Sequence, residues 1–406
     1  MQRIHQELQT LAGFSSGTFP AITRILYSQA DLDARTYFID LCQQAGLKVR
    51  TDPIGNIFAR WEGTEPALPP VGTGSHIDAI PQSGQYDGTV GVFGGLEAIR
   101  ILQEQGYQPK RSIEVLLFTS EEPTRFGIGC LGSRMLSGQL GPRKARELKD
   151  NTGKSLDELR KSAGYTGDLE EVILPDHYYA AFVELHIEQG PVLERDQLDI
   201  GIVTKIAAPS TLSIQLKGEG GHAGCVLMPD RRDAGVAGAE ITLAAEKIAL
   251  ESHSPDTVAT TGIFQIEPGA VNSIPWSAYL EIDLRDTQTD TRDKALNDLQ
   301  KSIKAITKKR KVSGEVTMLN CDPPAICSDQ IIDSIEKASI TLGFRSKKMI
   351  SRAYHDSLFM AQLFPTAMIF IPCKDGISHR PDEYSSPEQI DKGVQTLAQV
   401  LKELSG

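Results

Sequence analysis

Two adjacent carboxylates, Glu121 and Glu122, follow the apolar run Val115 to Phe118 in "VLLFTSEEPTRF". That run reads as a buried strand, so the pair sits where a strand leaves the core. Two anions side by side repel, and at the edge of a core each loses hydration, so the pair is costly unless a cation or a proton lies between them. Alone, Glu-Glu would pass for the first turn of a solvated helix. Its company argues otherwise. "GSHIDAIPQSGQYDG" brings His76, Asp78 and Asp87; "ELHIEQGP" brings His186, Glu188 and Gln189; "GISHRPDEYSS" brings His379. Three histidines and at least two carboxylates, with no thiolate, form an N/O donor set suited to Mn²⁺, Zn²⁺ or a similar first-row divalent ion. A lone strand-end histidine is ordinarily a hydrogen-bonded structural residue, but four such segments on one rim are harder to set aside.

Spacing adds detail. An extended backbone through His76-Ile77-Asp78 sends both polar side chains to one face, where the Asp78 carboxylate could accept the second ring N–H and fix the imidazole tautomer. Asp87 precedes Gly88, a residue that permits a sharp turn, and a carboxylate there could bridge two ions with one oxygen to each. A pair of ions then accounts for the glutamates: one ligates and the other accepts the proton of the attacking water.

The elements that must position these residues alternate through about residue 205. A helix "DLDARTYFIDLCQQAG", extended "GNIFARW", strand "VGTGSHID", helix "GVFGGLEAIRILQEQG", strand "SIEVLLFTS" and strand "YAAFVELHIE" predict a mixed, mostly parallel α/β sheet flanked by helices. Sites in such sheets lie beyond the carboxyl ends of the strands, where the polar residues fall. From 206 to 320 the order becomes strand-helix-strand-strand-helix-strand, the split βαβ plan, which predicts a separate inserted ferredoxin-like α+β domain. The first pattern then resumes over 321–406 with "KKMIS", a helix "HDSLFMAQLF", strand "TAMIFIP" and a last helix opened by Ser386 and Pro387, with Gln389 closing a capping box. The expected division is therefore 1–205 with 321–406, and 206–320.

With 406 residues the chain exceeds one ordinary core, and 40% hydrophobic with 23% charged residues is a globular composition. A net charge of −11 without a long Lys/Arg stripe argues against nucleic acid. Six scattered cysteines show neither zinc-ribbon nor disulfide spacing, which suits a reducing compartment. "MQRIHQELQTLAG" has amphipathic spacing at Ile4, Leu8 and Leu11, so neither a signal peptide nor an anchor is expected, and the location expected is cytoplasmic.

"GSHIDAIP", "YDGTVGV", "EEPTRF", "HIEQGP", "GEGGHAG", "RRDA" and "GISHRPDEYSS" resemble the dinuclear-metal amidohydrolases that include allantoate amidohydrolase and N-carbamoyl-L-amino-acid hydrolase, relatives of aminoacylase and carboxypeptidase G. The similarity covers nearly the whole chain. It implies a metal-dependent exopeptidase-like catalytic domain, an inserted lid that pairs two subunits into a homodimer, and two divalent ions per subunit, Mn²⁺ first with Zn²⁺, Ni²⁺ or Co²⁺ as alternatives. It further implies one ion on His76 and His186, the other on Glu122 and His379, Asp87 bridging, and Glu121 as general base. In the lid it implies His222 at the reacting centre and Asn272 and Arg285 on the substrate, with Gln189, Tyr354 and His355 as further contacts. His5, His177 and His253 match nothing and read as surface residues.

"FTSEEPTRFGIGCLGSR", "GHAGCVLMPDRRDAG", "ISRAYHDSLFMA" and "IFIPC" are most similar to the ureidoglycolate-hydrolysing branch. Cys225-Val226-Leu227 stands where other branches commonly carry "GHAGTTPM". The expected reaction is hydrolysis of the ureido C–N bond of ureidoglycolate in ureide catabolism, giving ammonia, CO₂ and glyoxylate. Allantoate or N-carbamoyl-amino-acid hydrolysis is the alternative, and a non-catalytic binding protein on the same fold is a second.

Overall fold

The strands Val71–His76, Ile113–Phe118, Ala181–Ile187 and Thr366–Ile371 are buried at every position, as strands covered on both faces must be. In the computed structural model, which describes residues 2–406, they pair in parallel as the centre of a nine-stranded sheet. The order runs Ala325–Ile326, Ile200–Ile206, Thr366–Ile371, Ala181–Ile187, Val71–His76, Ile113–Phe118, Ile57–Trp61, Lys48–Thr51, with Ser346–Ser351 pairing Ile200–Ile206. The sheet is mixed: Ile57–Trp61 and Lys48–Thr51 on one side, and Ile200–Ile206 on the other, join antiparallel. Parallel pairing of the four central strands brings their carboxyl ends to one edge.

The chain divides into two compact units: Met1–Thr204 with Ile326–Ser351 and His355–Gly406, and Lys205–Ala325 with Arg352–Tyr354. In the second, strands Val258–Glu267, Ser277–Asp286, Ala208–Lys217 and Ser313–Cys321 lie antiparallel in that order, with helices Ala234–Leu250 and Thr289–Arg310. This is the ferredoxin-like arrangement. Burial alternates along Ser277–Asp286, so Ala278, Leu280, Ile282 and Leu284 meet Ala237, Ile241, Leu299 and Ile303 on one face. Each such Leu or Ile contributes about 1.5–3 kcal/mol.

Helix boundaries shift modestly from the pattern, as at Gln29–Gln44 and Thr89–Glu104, and the capping box at Ser386 and Gln389 is formed. The segment "HDSLFMAQLF" does differ: only Ser357–Met360 is α-helical. Asp356 accepts the Ser133 hydroxyl, and the Ser357 N–H bonds Glu184 at 3.1 Å, so buried polar partners fix its start in place of helical continuation. Among the described residues no helix is long and apolar enough to cross a membrane.

Candidate metal centre

His76 ends one central strand, His186 is next to last in its neighbour, and Glu121 and Glu122 follow Phe118 by three and four residues. Asp87 and His379 arrive on loops. Their donor atoms converge in two groups, His76, Asp87 and His186, and Asp87, Glu122 and His379. Asp87 belongs to both: its Oδ1 lies 3.2 Å from His186 Nε2 and 3.8 Å from His76 Nε2, while its Oδ2 lies 3.1 Å from His379 Nε2. Glu122 Oε1 is 3.4 Å from the same His379 nitrogen. Such separations are those of atoms sharing an ion at about 2.0–2.2 Å. The donor set therefore fits two divalent ions with one carboxylate between them.

The histidine tautomers suit that use. His186 Nδ1 lies 2.9 Å from the Ile187 carbonyl, so it carries a proton, and Nε2, 3.1 Å from the Gly88 nitrogen, faces the centre. His76 Nδ1 lies 3.1 Å from the Asp78 carbonyl. Here the structure adds to the sequence reading. The Asp78 carboxylate is 3.5 Å from that ring nitrogen, and its two oxygens accept the N–H groups of Glu121 and Glu122 at 3.1 and 3.0 Å. The strand ends at His76, so the alternation assumed through Asp78 does not persist. Asp78 thus fixes the backbone of the glutamate pair, and its carbonyl orients His76. Glu188 also turns away, its carboxylate accepting the N–H groups of Val192 and Leu193 at 2.8 and 2.7 Å.

Gly88, at φ 65°, starts the helix Thr89–Glu104 directly after Asp87, and a Cβ there would fall 2.4 Å from His76 Nε2. Ser120, Gln189 and His379 also have positive φ, and none is glycine. Left-handed backbone is uncommon in such residues and clusters at functional sites.

Charge is concentrated accordingly. Burial, then the charge of neighbouring Glu122, holds the Glu121 carboxyl well above its ordinary range. Burial and then Asp87 push Glu122 up to about 7. Burial works against ionising Asp87 too, but hydrogen bonds from His186 and His379 hold it well below the carboxylate range. The Asp87 hydrogen bond raises His379 to about 9. Protons here do part of what cations would do: they offset carboxylates that lack water.

Glu121 belongs to neither donor group. Its Oε1 accepts the Cys130 thiol at 3.4 Å, and its Oε2 is 3.8 Å from His76 Nε2. Gln189 gives its amide to Asp87 Oδ2 at 2.8 Å and Ser378 Oγ at 3.3 Å, leaving a buried Oε1 without a hydrogen-bond partner. His355, 2% exposed, packs edge-on to the His186 ring with centroids 4.5 Å apart, and its Nε2 lies 2.9 Å from Ser351 Oγ.

In the second unit, His222 and Asn272 come near each other at a short antiparallel pair: His222 is opposite Ser273, and the Ala223 N–H bonds the Asn272 carbonyl at 2.9 Å. His222 Nδ1 accepts the Gly224 N–H at 3.0 Å, which places its proton on Nε2. Arg285 is forked onto Asp283 at 2.7 and 3.1 Å and reaches the Arg352 carbonyl at 3.0 Å; Tyr354 bonds Asp322. His177 and His253 are exposed, whereas His5 is half-buried and pairs with Asp391 of the C-terminal helix at 2.9 Å.

Glu184, Asp356 and Glu383, buried acids around this centre, escaped the sequence reading. Burial and then Glu184 raise Asp356 to about 8; burial and then Asp87 raise Glu383 to about 7. Glu184 had a signal, an acid two residues before His186 within an otherwise apolar strand. Glu383 lies inside "GISHRPDEYSS", where nothing in its spacing separates it from Asp382.

Residues 72–403 match the model of peptidase family M20/M25/M40. Ureidoglycolate hydrolase of Arabidopsis thaliana is 52% identical over 99% of this chain and 86% of its own length, and that of Oryza sativa is 51% identical over 99% and 84%. A crystal structure of AtUAH in complex with glyoxylate superposes with a TM-score of 0.91 at 51% identity, covering 100% of this chain and 97% of that one.

Proposed function

The chain belongs to peptidase family M20/M25/M40, and from that premise we infer that it hydrolyses the ureido C–N bond of ureidoglycolate, releasing ammonia, CO₂ and glyoxylate. The observation that carries this reading is the buried Glu121 carboxylate beside, and outside, two donor groups joined by Asp87. A general base and a bridged ion pair are what water needs to attack a carbonyl as unreactive as a ureide.

His76, His186 and Asp87 would hold one ion, and Glu122, His379 and Asp87 the other, with Mn²⁺ proposed as the native metal. When bound, the ions supply Lewis acidity that polarises the carbonyl and makes water acidic near neutral pH. Glu121 accepts a proton from the water and returns one to the leaving nitrogen, so its carboxyl ends the cycle as it began. Gln189 braces Asp87 through its amide and keeps one buried oxygen to accept a ureido N–H. His222, protonated on Nε2, donates to the developing oxyanion, and Arg285 with Asn272 takes the substrate carboxylate, assisted by Tyr354. His355, expected as a substrate contact, packs edge-on against the His186 ring and would also support it. Val226 and Leu227, apolar after the lid histidine, favour ureidoglycolate over allantoate, whose second ureido group needs polar partners. A homodimer paired through the second unit and a cytoplasmic location complete the proposal, the latter supported by six free cysteines.

The test is ammonia release from ureidoglycolate, allantoate and N-carbamoyl amino acids side by side. We expect kcat/KM for ureidoglycolate to exceed the others by at least ~100-fold. An equal or higher value for allantoate would assign the chain to that neighbouring activity.

A further inference from the structure

We infer that Glu383 is a positioning residue that locks the bridging carboxylate to the loop histidine and thereby controls uptake of one ion of the pair. Glu383 is 4% exposed. Its Oε1 accepts the N–H groups of Tyr86 and Asp87 at 2.9 and 3.0 Å, and its Oε2 faces the Ser378 hydroxyl at 2.8 Å and the His379 N–H at 3.3 Å. One side chain therefore holds the backbone of two metal-binding residues far apart in sequence. The place is built for it: a Cβ on Gly84 would lie 2.3 Å from Glu383 Cβ and 2.4 Å from Oε1. Ser378 continues the connection, its hydroxyl 3.1 Å from Asp87 Oδ2.

The consequence is unequal for the two ions. His76 and His186 are fixed by strands, so their ion keeps two strand-held ligands and depends on the loops through Asp87 alone. Asp87 and His379 are both loop residues, and the His379 side chain is 49% exposed, so the geometry of the Asp87, Glu122 and His379 group depends on what ties the loops together. Glu383 makes that tie without offering a ligand atom to either group. Glu383→Gln keeps the shape but turns one acceptor into a donor, which must then face either the Tyr86 and Asp87 N–H pair or the His379 N–H.

This inference rests on the dinuclear reading but not on the substrate. Chelator-treated full-length protein is titrated with Mn²⁺, and bound ions per chain are counted by equilibrium dialysis. Wild type should take two. Glu383→Gln should bind the first within threefold of wild type and the second ~10–100-fold more weakly, the range for groups that orient ligands. Low-temperature EPR should then show a spin-coupled Mn²⁺ pair in wild type and an isolated ion in the variant at equal metal. Glu383→Asp, which keeps the charge but is one methylene too short to reach both loops, should weaken the second ion in the same direction by less, and it decides the matter if Glu383→Gln does not fold. Wild-type binding of both ions in either folded variant, or parallel loss of both, would overturn the inference. A wild-type chain that takes one ion sinks the dinuclear reading with it; a chain that takes two yet ignores ureidoglycolate sinks only the substrate.

Discussion

Replacing Glu121 and Glu122 separately by glutamine tests the division of labour on which the mechanism depends. The two residues are adjacent, both are buried, and both changes exchange a carboxylate for an amide of the same shape. Glu121 has no place in either donor group, and the Cys130 thiol that meets its Oε1 at 3.4 Å can meet an amide oxygen equally well. Burial raises Glu122 most, and the charge that adds most to it is that of Asp87, which Glu121→Gln leaves in place. Metal content of Glu121→Gln should therefore stay within about threefold of wild type. Its turnover should fall by ~10²–10⁴, the range for a positioned base, which corresponds to about 2.7–5.5 kcal/mol of barrier. Glu122 Oε1 stands 3.4 Å from His379 Nε2, and Glu122→Gln removes a donor from that group, so the second ion should bind at least ~10-fold more weakly. Ammonia release and metal per chain, measured on the same preparations, give both numbers. Equal metal loss in the two variants would refute the assignment, as would a Glu121→Gln enzyme keeping more than a tenth of wild-type turnover.

In metal-free protein the folded pKa values of Glu122 and His379, about 7 and about 9, exceed their unfolded values of roughly 4.3 and 6.5. Stability from a raised pKa is fully present below the unfolded value and is lost as pH rises through the folded one. Chelated protein should accordingly melt at lower temperature as pH goes from about 6 to 9, while ion-loaded protein should not; Asp87, held low, loses its contribution only in acid. A flat or rising melting curve for the chelated form would contradict this. Gly88→Ala would place a Cβ 2.4 Å from His76 Nε2 at a positive φ and should reduce binding of both ions and lower stability by about 1–2 kcal/mol, read by dialysis and melting. Arg285→Ala should lower kcat/KM for ureidoglycolate at least ~10-fold with metal content unchanged, and lysine should restore little because the fork is lost. If His222 serves the partner's site in a lid-paired dimer, mixing inactive Glu121→Gln and His222→Ala subunits should regain activity; confirmed exchange without activity would confine His222 to its own chain.

The positions of His76, His186 and the glutamates at strand ends were legible because a parallel sheet converts sequence pattern into place: each apolar run ends at the same edge, and the residues just beyond its end lie there too. The ferredoxin-like unit was legible for a similar reason, since alternation in "AYLEIDLRD" and helical spacing in "RDKALNDLQKSIKAITKK" state their own partners. The loops obey no such rule. Ser120, Gln189 and His379 adopt a left-handed backbone without being glycine, so their sequence carries no mark of the turns that aim Glu121, Asp87's amide partner and the loop histidine. Asp78 illustrates the result, a carboxylate that strand alternation assigned to a ring nitrogen, 3.5 Å away, and that the turn after His76 also delivers to two backbone N–H groups. Glu383 illustrates it further, because hydrogen bonds to main chain select a side chain for its reach and charge and not for any spacing. In this site the donors arise from the regular part of the fold and from two loops, while the acids that hold those donors in register answer only to backbone geometry. That division is why pattern reading finds the ligands more readily than the residues on which their alignment depends.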